Sequence, residues 1–205
     1  YKIIEGYIEK ITDSIRYAER IQESIQPNLD AVREVFSDVI LYNKPKDIVS
    51  GDFYWMITSG KKVYFALSDC TGHGVPGAFM SIIGIDLLNQ AVNLHHYYKP
   101  DQIVAFLNEQ LIKRLRKSEK EQVLKDSMDI AVCIFDRETY QLDYTGALIP
   151  IFIQSNGSLV EIKPDYITLG TSFGKEEKTF TINSFKMIEG DWVYLATDGY
   201  FDQLG

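Results

Sequence analysis

The first apolar pattern along the chain belongs to a helix. Ile4, Ile8, Ile11, Ile15, Ala18, Gln22 and Ile25 alternate spacings of four and three, as the seam of a coiled coil does. Ile3, Tyr7 and Ile21 widen the stripe, while Glu5, Glu9, Lys10, Asp13, Arg16, Glu19 and Arg20 supply a wet face. Pro27 stops the helix, since its ring excludes the interior of one. Two readings are open: a helix packed on its own domain, or one paired with a second copy. The length of the seam favours pairing. Gln22 at a seam position would weaken such a pair but fix its register.

Beyond the helix the period changes. Val35, Ser37, Val39 and Leu41 alternate with Phe36, Asp38, Ile40 and Tyr42, which predicts a first strand over Glu34 to Tyr42. Phe53 to Ile57 and Val63 to Leu67 are aromatic and β-branched runs separated by Ser59-Gly60-Lys61-Lys62. Gly60 suits the first central position of a type II′ hairpin turn. A helix begins near Pro76, carrying Phe79, Ile82, Ile83, Leu87 and Val92, with Gly77, Ala78 and Gly84 allowing close packing. His95 and His96 close it as exposed helix-end residues. A second helix starts at Pro100-Asp101, with Ile103, Leu107, Leu111 and Leu115 on one face. Its basic end, Lys113, Arg114, Arg116 and Lys117, complements the helix dipole, and residues 118–125 read as a polar loop.

From Asp129 onward the pattern is strand. Ile130 to Phe135, Gln141 to Tyr144, Ile149 to Ile153, Leu159 to Ile162, Phe180 to Ile188 and Trp192 to Thr197 are separated by turn signals such as Asn156-Gly157 and Glu189-Gly190-Asp191. Strands, two long helices and then strands make an α+β pattern: two stacked, mostly antiparallel sheets flanked by helices. The expected division is a linker helix over 1–27 and a C-terminally incomplete domain over 28–205.

The hairpin turn carries the chemistry. A two-residue turn at Gly60-Lys61 sets Asp52 directly opposite Asp69, with Cβ atoms about 5 Å apart, where like charges repel. Two such carboxylates call for a cation. Asp198, at the end of the last strand in Ala196-Thr197-Asp198-Gly199, is the third acid to bring to the pair. Hard divalent cations such as Mg²⁺ and Mn²⁺ prefer oxygen donors, whereas the Cys and His ligands of zinc are scarce here. Asp126 and Asp129 bracket the start of a strand and read as a solvated turn.

Composition narrows the setting. The chain has 205 residues, 45% of them apolar, and a net charge of −8 with no basic stripe, which argues against a nucleic-acid partner. Cys70 and Cys133 are too few for a disulfide framework and lack zinc-ligand spacing, so a reducing, cytoplasmic setting is expected. No apolar run of about 18 residues is evident, so nothing in this stretch is expected to span a membrane, although the parent protein is free to be membrane-anchored.

Three motifs in order then carry a family resemblance. Ser50-Gly51-Asp52-Phe53-Tyr54, Asp69-Cys70-Thr71-Gly72-His73-Gly74 and Tyr194-Leu195-Ala196-Thr197-Asp198-Gly199 resemble the bacterial metal-dependent protein phosphatases of the stage II sporulation E type. These form the bacterial branch of the protein phosphatase 2C-like (PPM) superfamily. Gly77-Ala78-Phe79-Met80 and Leu142 to Ala147 resemble it too, and Ile15 to Pro27 looks like the linker helix before such domains. The likeness spans roughly residues 10–205.

The resemblance implies an α/β/β/α sandwich with a dinuclear Mn²⁺ or Mg²⁺ centre that hydrolyses phosphoserine or phosphothreonine in a partner protein. Asp69 would bridge both ions, Cys70 would offer its backbone carbonyl, and Asp52 and Asp198 would each hold one ion. The nucleophile would be a metal-activated water. The partner in such proteins is often an anti-sigma-factor antagonist, and the linker helix transmits signals. The family's later Asp-Asp motif does not occur before Gly205, so one ligand of the complete centre is missing from this sequence. No arginine stands beside Asp52 to hold phosphate. His73 has two readings, a general acid or a loop residue bonded to nearby backbone. The Cys70 side chain is read as filler. The competing functions are a catalytically silent module with this fold, which dimerises or binds a partner, and another carboxylate-metal phosphohydrolase.

Overall fold

The computed structural model describes residues 2–115, 126–171 and 179–202. Helix α1 runs Lys2–Ile25, matching the seam pattern, and Gln22 is its only buried residue among those described. A short helix α2, Leu29–Arg33, follows; the side chain of its N-cap Asn28 accepts the Asp30 N–H at 3.0 Å.

The strand expected over Glu34 to Tyr42 does not form. The Glu34 N–H bonds to the Asp30 carbonyl, and those of Val35 and Phe36 to Val32, so the start of the segment completes α2 instead. Phe36 packs edge-on to Phe65 at 5.7 Å and tilted to Phe135 at 6.2 Å. Ile40, Leu41 and Tyr42 stay exposed. The alternation there reflects one anchoring aromatic, not a ladder.

The other predicted elements appear. Strands β1 (Phe53–Ser59) and β2 (Lys62–Cys70) form the hairpin; α3 (Val75–Asn93) and α4 (Pro100–Leu115) follow, with Pro76 in the first turn of α3. Then come β3 (Met128–Asp136), β4 (Gln141–Ala147), β5 (Ile151–Ser155), β6 (Ser158–Ile162), β7 (Asn183–Lys186), β8 (Trp192–Leu195) and a short α5 (Asp198–Phe201). One sheet has the order β1-β2-β3-β4-β7 and the other β6-β5-β8, with every pair antiparallel. Strand β7 is shorter than the run that predicted it, and the 118–125 loop, Arg116 and Lys117 lie outside the described residues. Lys113 and Arg114 pair with Glu109 and Asp86. His95 is exposed as expected and stacks on Tyr97.

Strand β3 shows why the layers stack. Met128, Ile130, Val132 and Ile134 face α3 and α4, joining Leu87, Leu88, Ile103, Leu107 and Leu111 in one core. The alternate residues Ala131 and Cys133 face the second sheet, joining Tyr144, Ile151 and Ile153 in another. The period of two thus assigns each residue to a layer. Each fully buried large aliphatic side chain contributes about 1.5–3 kcal/mol. On the far side of the second sheet, Phe201 of α5 approaches Phe152 at 5.9 Å.

Against the expectation that no apolar run of about 18 residues occurs, Val75–Asn93 is long and apolar enough to cross a membrane by length and composition. Leu87, Leu88 and Ala91 are nonetheless wholly inaccessible against the sheet, and the helix is apolar because it is a core helix. Gly84 permits the approach: a Cβ there would sit 2.7 Å from the Phe53 ring and 2.6 Å from the Met128 methyl.

Candidate metal centre

The hairpin forms with the predicted register. Pairing runs from Ser59 with Lys62 to Phe53 with Ser68, and Gly60 alone of the two turn residues has a positive φ, +60°, as type II′ requires. One further step sets Asp52 against Asp69. On its other side, β2 pairs with β3 so that Asp69 faces Asp129. Asp69 therefore has an acidic residue on each neighbouring strand. The third predicted acid arrives from the second sheet: β8 ends at Leu195, Thr197 caps α5, and Asp198 opens it. The Thr197 hydroxyl donates to Asp52 Oδ2 at 2.8 Å, tying the end of the last strand to the start of the first.

The Asp69 carboxyl interacts with those of both Asp52 and Asp198. Burial, then the charges of Asp52 and Asp198, push its carboxyl from the ordinary 3.8 up to about 8. Three carboxylates brought this close repel one another, and a cation among them would relieve that repulsion. Among the described residues, no group of three or more acidic, imidazole or thiol side chains is already arranged to hold a metal ion.

Asp129 is the residue that sequence reasoning missed. Read as part of a solvated turn, it is instead half-buried on β3, held by the Thr168 hydroxyl. Burial raises its carboxyl above the usual range; the Thr168 bond opposes this and the Asp198 charge adds to it. A signal was present: an acid interrupting the apolar run Met128-Asp129-Ile130 at a strand start.

Backbone oxygens complete the donor set. A Cβ on Gly51 would lie 2.8 Å from the Cys70 carbonyl oxygen and 2.9 Å from that of Gly72. A Cβ on Gly77 would lie 2.6 Å from the Gly72 oxygen and 3.0 Å from Gly51 Cα. Glycine at 51 and 77 lets the Asp52 loop, the turn after β2 and the first turn of α3 touch. The Cys70 thiol is 2% exposed and burial pushes it far above its usual range, so only its carbonyl is chemically available. His73 Nδ1 pairs with Asp47 Oδ2 at 2.8 Å, a carboxylate partner in place of the expected backbone one. Carboxylates with adjacent carbonyls, and no free thiolate, form a set that suits a hard divalent cation.

The profile of the Stage II sporulation protein E (SpoIIE) family matches residues 59–204. No curated protein matches the chain. Among solved structures, the SiaA-PP2C domain of Pseudomonas aeruginosa is similar at 27% identity and a TM-score of 0.83, covering 97% of this chain and 76% of that one. The PP2C phosphatase domain of SpoIIE from Bacillus subtilis, solved with a fragment of its regulatory domain, shares the fold at 22% identity and a TM-score of 0.60. That match covers 75% of this chain and 42% of the other. RsbX, solved in complex with magnesium, shares the fold at 17% identity and a TM-score of 0.59, over 77% of this chain and 71% of its own. With its sandwich of two antiparallel sheets, its ordered motifs and this profile, the chain belongs to the SpoIIE family of PP2C-type phosphatase domains of bacterial signalling.

Proposed function

We propose that this domain hydrolyses phosphoserine or phosphothreonine in a partner protein, using two Mn²⁺ or Mg²⁺ ions held by Asp52, Asp69, Asp198 and the Cys70 carbonyl. The observation that carries the reading is the meeting of acids remote in sequence: the hairpin register sets Asp52 against Asp69, and Thr197, bonded to Asp52, brings Asp198 beside them. Such a cluster is unfavourable as a set of bare charges and favourable around cations.

When bound, the cations neutralise phosphoryl charge and supply a water of lowered pKa. The chain's own residues do the rest. Asp69 and Asp52 would hold the ions as carboxylates. Thr197 orients Asp52 through Oδ2. Gly51, Gly72 and Gly77 keep the carbonyls of Cys70 and Gly72 facing the Asp52 loop. Asp129 adds negative charge at the rim of the site. In the SpoIIE setting the partner is a signalling phosphoprotein of the anti-sigma-factor-antagonist class, met in the cytoplasm.

Residues 1–27 act as a linker helix and 28–205 as the phosphatase domain. Ile4, Ile8 and Ile11 of α1 are 63%, 59% and 61% exposed. A second copy of the helix would cover this seam, and replacing Ile11 and Ile15 by Asp would lower the mass seen in sedimentation.

Phosphopeptide hydrolysis with Mn²⁺, run beside Asp69→Asn, tests the reading. Loss in the variant supports it. Equal rates would sink the metal mechanism, no hydrolysis by either protein would favour a silent module, and action on nucleotides alone would favour the other phosphohydrolase.

A further inference from the structure

Positive charge is scarce around the acidic end of the β2–β3 ladder. The stretches that meet there are residues 43–55, 68–80, 126–132 and 195–202, and their only lysines or arginines are Lys44 and Lys46. Both are exposed, and among the described residues neither takes part in a salt bridge. Their charges are unmatched within the fold.

The loop that carries them is fastened to the site twice. Asp47 Oδ2 pairs with His73 Nδ1 at 2.8 Å, and a Cβ on Gly74 would lie 3.3 Å from the same oxygen. Four residues on, a Cβ on Gly51 would lie 2.9 Å from the Gly72 carbonyl oxygen. Between the two points Val49 is 2% exposed and roots the loop in the interior. Gly72 and Gly74 are two residues apart, at most about 7.6 Å by the Cα spacing of a trans chain. Both ends of 47–51 therefore sit on one short turn, the one that follows Asp69 and Cys70. Lys46 adjoins the first anchor, and Pro45 restricts the backbone between the two lysines. The other sides of the mouth are acidic: Asp126 and Asp129 stand about the start of β3, and Asp198 and Asp202 at the two ends of α5.

Cations at the centre would offset Asp52, Asp69 and Asp198 and take the phosphoryl group. The residues on either side of the phosphorylated one then meet a surface that is negative except along 44–46. We infer that Lys44 and Lys46 form a basic lip that selects phosphopeptides carrying carboxylates on one flank of the phosphoresidue. This rests on the proposed phosphatase function and names its substrate class. Complementary charge steers encounter and rejects wrong partners, so the lip acts on KM and not on the chemical step.

The test uses the whole chain with Mn²⁺ and phosphoserine peptides in three forms: neutral, Asp-rich before the phosphoserine, and Asp-rich after it. One acid-flanked form is expected to exceed the neutral one about 5-fold in kcat/KM, the size that two exposed ion pairs give together, and to lose that lead in high salt. Lys44→Ala/Lys46→Ala should abolish the preference by raising KM with kcat unchanged, and Lys44→Glu/Lys46→Glu should turn it in favour of the neutral form. Lys61→Ala, at the far end of the hairpin where Lys61 pairs with Glu138, should keep it. No preference in the unaltered chain, or a preference retained in both double variants, would overturn the inference. If no peptide is hydrolysed, the proposed function fails separately. Binding of the same peptides, read by fluorescence anisotropy, then decides alone. Tighter binding of an acid-flanked form that disappears in Lys44→Ala/Lys46→Ala supports the lip, and equal binding of all forms by the unaltered chain counts against it.

Discussion

At one end of the β2–β3 ladder Lys62 faces Asp136; at the other, Asp69 faces Asp129. The first end is electrostatically settled. Asp136 accepts the N–H groups of Glu138 and Thr139 at 2.9 and 3.0 Å, and these bonds, helped by Lys62, hold its carboxyl below 3.8. Lys61 pairs with Glu138 beside it. At the second end Asp69 meets Asp52 and Asp198, with Asp129 across the ladder, and its carboxyl rises to about 8. The same side chain on the same strands thus stands in opposite states. What differs is the company: turn amides and a lysine at one end, further acids at the other. The shortage of positive charge at that end is what the proposed cation site would make good.

The largest effect that would sharpen this contrast is on catalysis. Asp69→Asn should lower Mn²⁺-dependent phosphopeptide hydrolysis by more than about 100-fold, beyond the range for merely supporting partners. Asp136→Asn should leave the rate near that of the unaltered chain while slightly lowering the melting temperature. Comparable losses of activity at the two ends would dissolve the distinction between them.

Next in size is the backbone contact behind the site. Gly77→Ala forces a methyl to within 2.6 Å of the Gly72 oxygen. The expected cost is about 1–3 kcal/mol of stability by denaturant titration, together with weaker Mn²⁺ uptake, because the Cys70–Gly72 carbonyls must move. Unchanged stability would mean that the loop is free to yield.

The hairpin and the three acids were legible in the sequence because local chemistry specified them. Gly60 dictated a turn, the turn dictated the register, and the register set Asp52 against Asp69. Asp198 followed from its place at a strand end. Asp129 stood out as an acid in an apolar run, but its pairing with Asp69 was not legible, since it depends on the β2–β3 register and two helices separate those strands in sequence. The expected strand over Glu34 to Tyr42 failed for a related reason. Alternation is necessary for a strand, but a ladder needs a partner, and the first amides of that segment were taken by α2. Gln22 was seen as an anomaly in an apolar seam, yet a heptad pattern does not say whether the facing surface is another helix or the same domain.

A third contrast lies in pH. Asp69 is raised above 3.8, so in metal-free protein its contribution to stability is complete below about pH 4 and is lost as pH climbs through 8. Asp136 is lowered, so its contribution is complete above 3.8 and is lost only as pH falls through its depressed value. Melting temperature in EDTA should accordingly gain from Asp69 as pH drops from 8 toward 4, and Asp69→Asn should remove that slope. A slope retained in the variant would assign it elsewhere.

The smallest effect concerns Cys70. Its thiol is buried and raised, so Cys70→Ala should change the hydrolysis rate less than about twofold, while costing on the order of 1 kcal/mol for lost packing. A large loss of rate would give the sulfur a chemical role.

Diffraction from crystals soaked in Mn²⁺ asks whether the acidic end of the ladder is the proposed cation site. Anomalous density is expected within bonding distance of Asp52, Asp69 and Asp198. Crystals that take up Mn²⁺ elsewhere, or not at all, would refute the site.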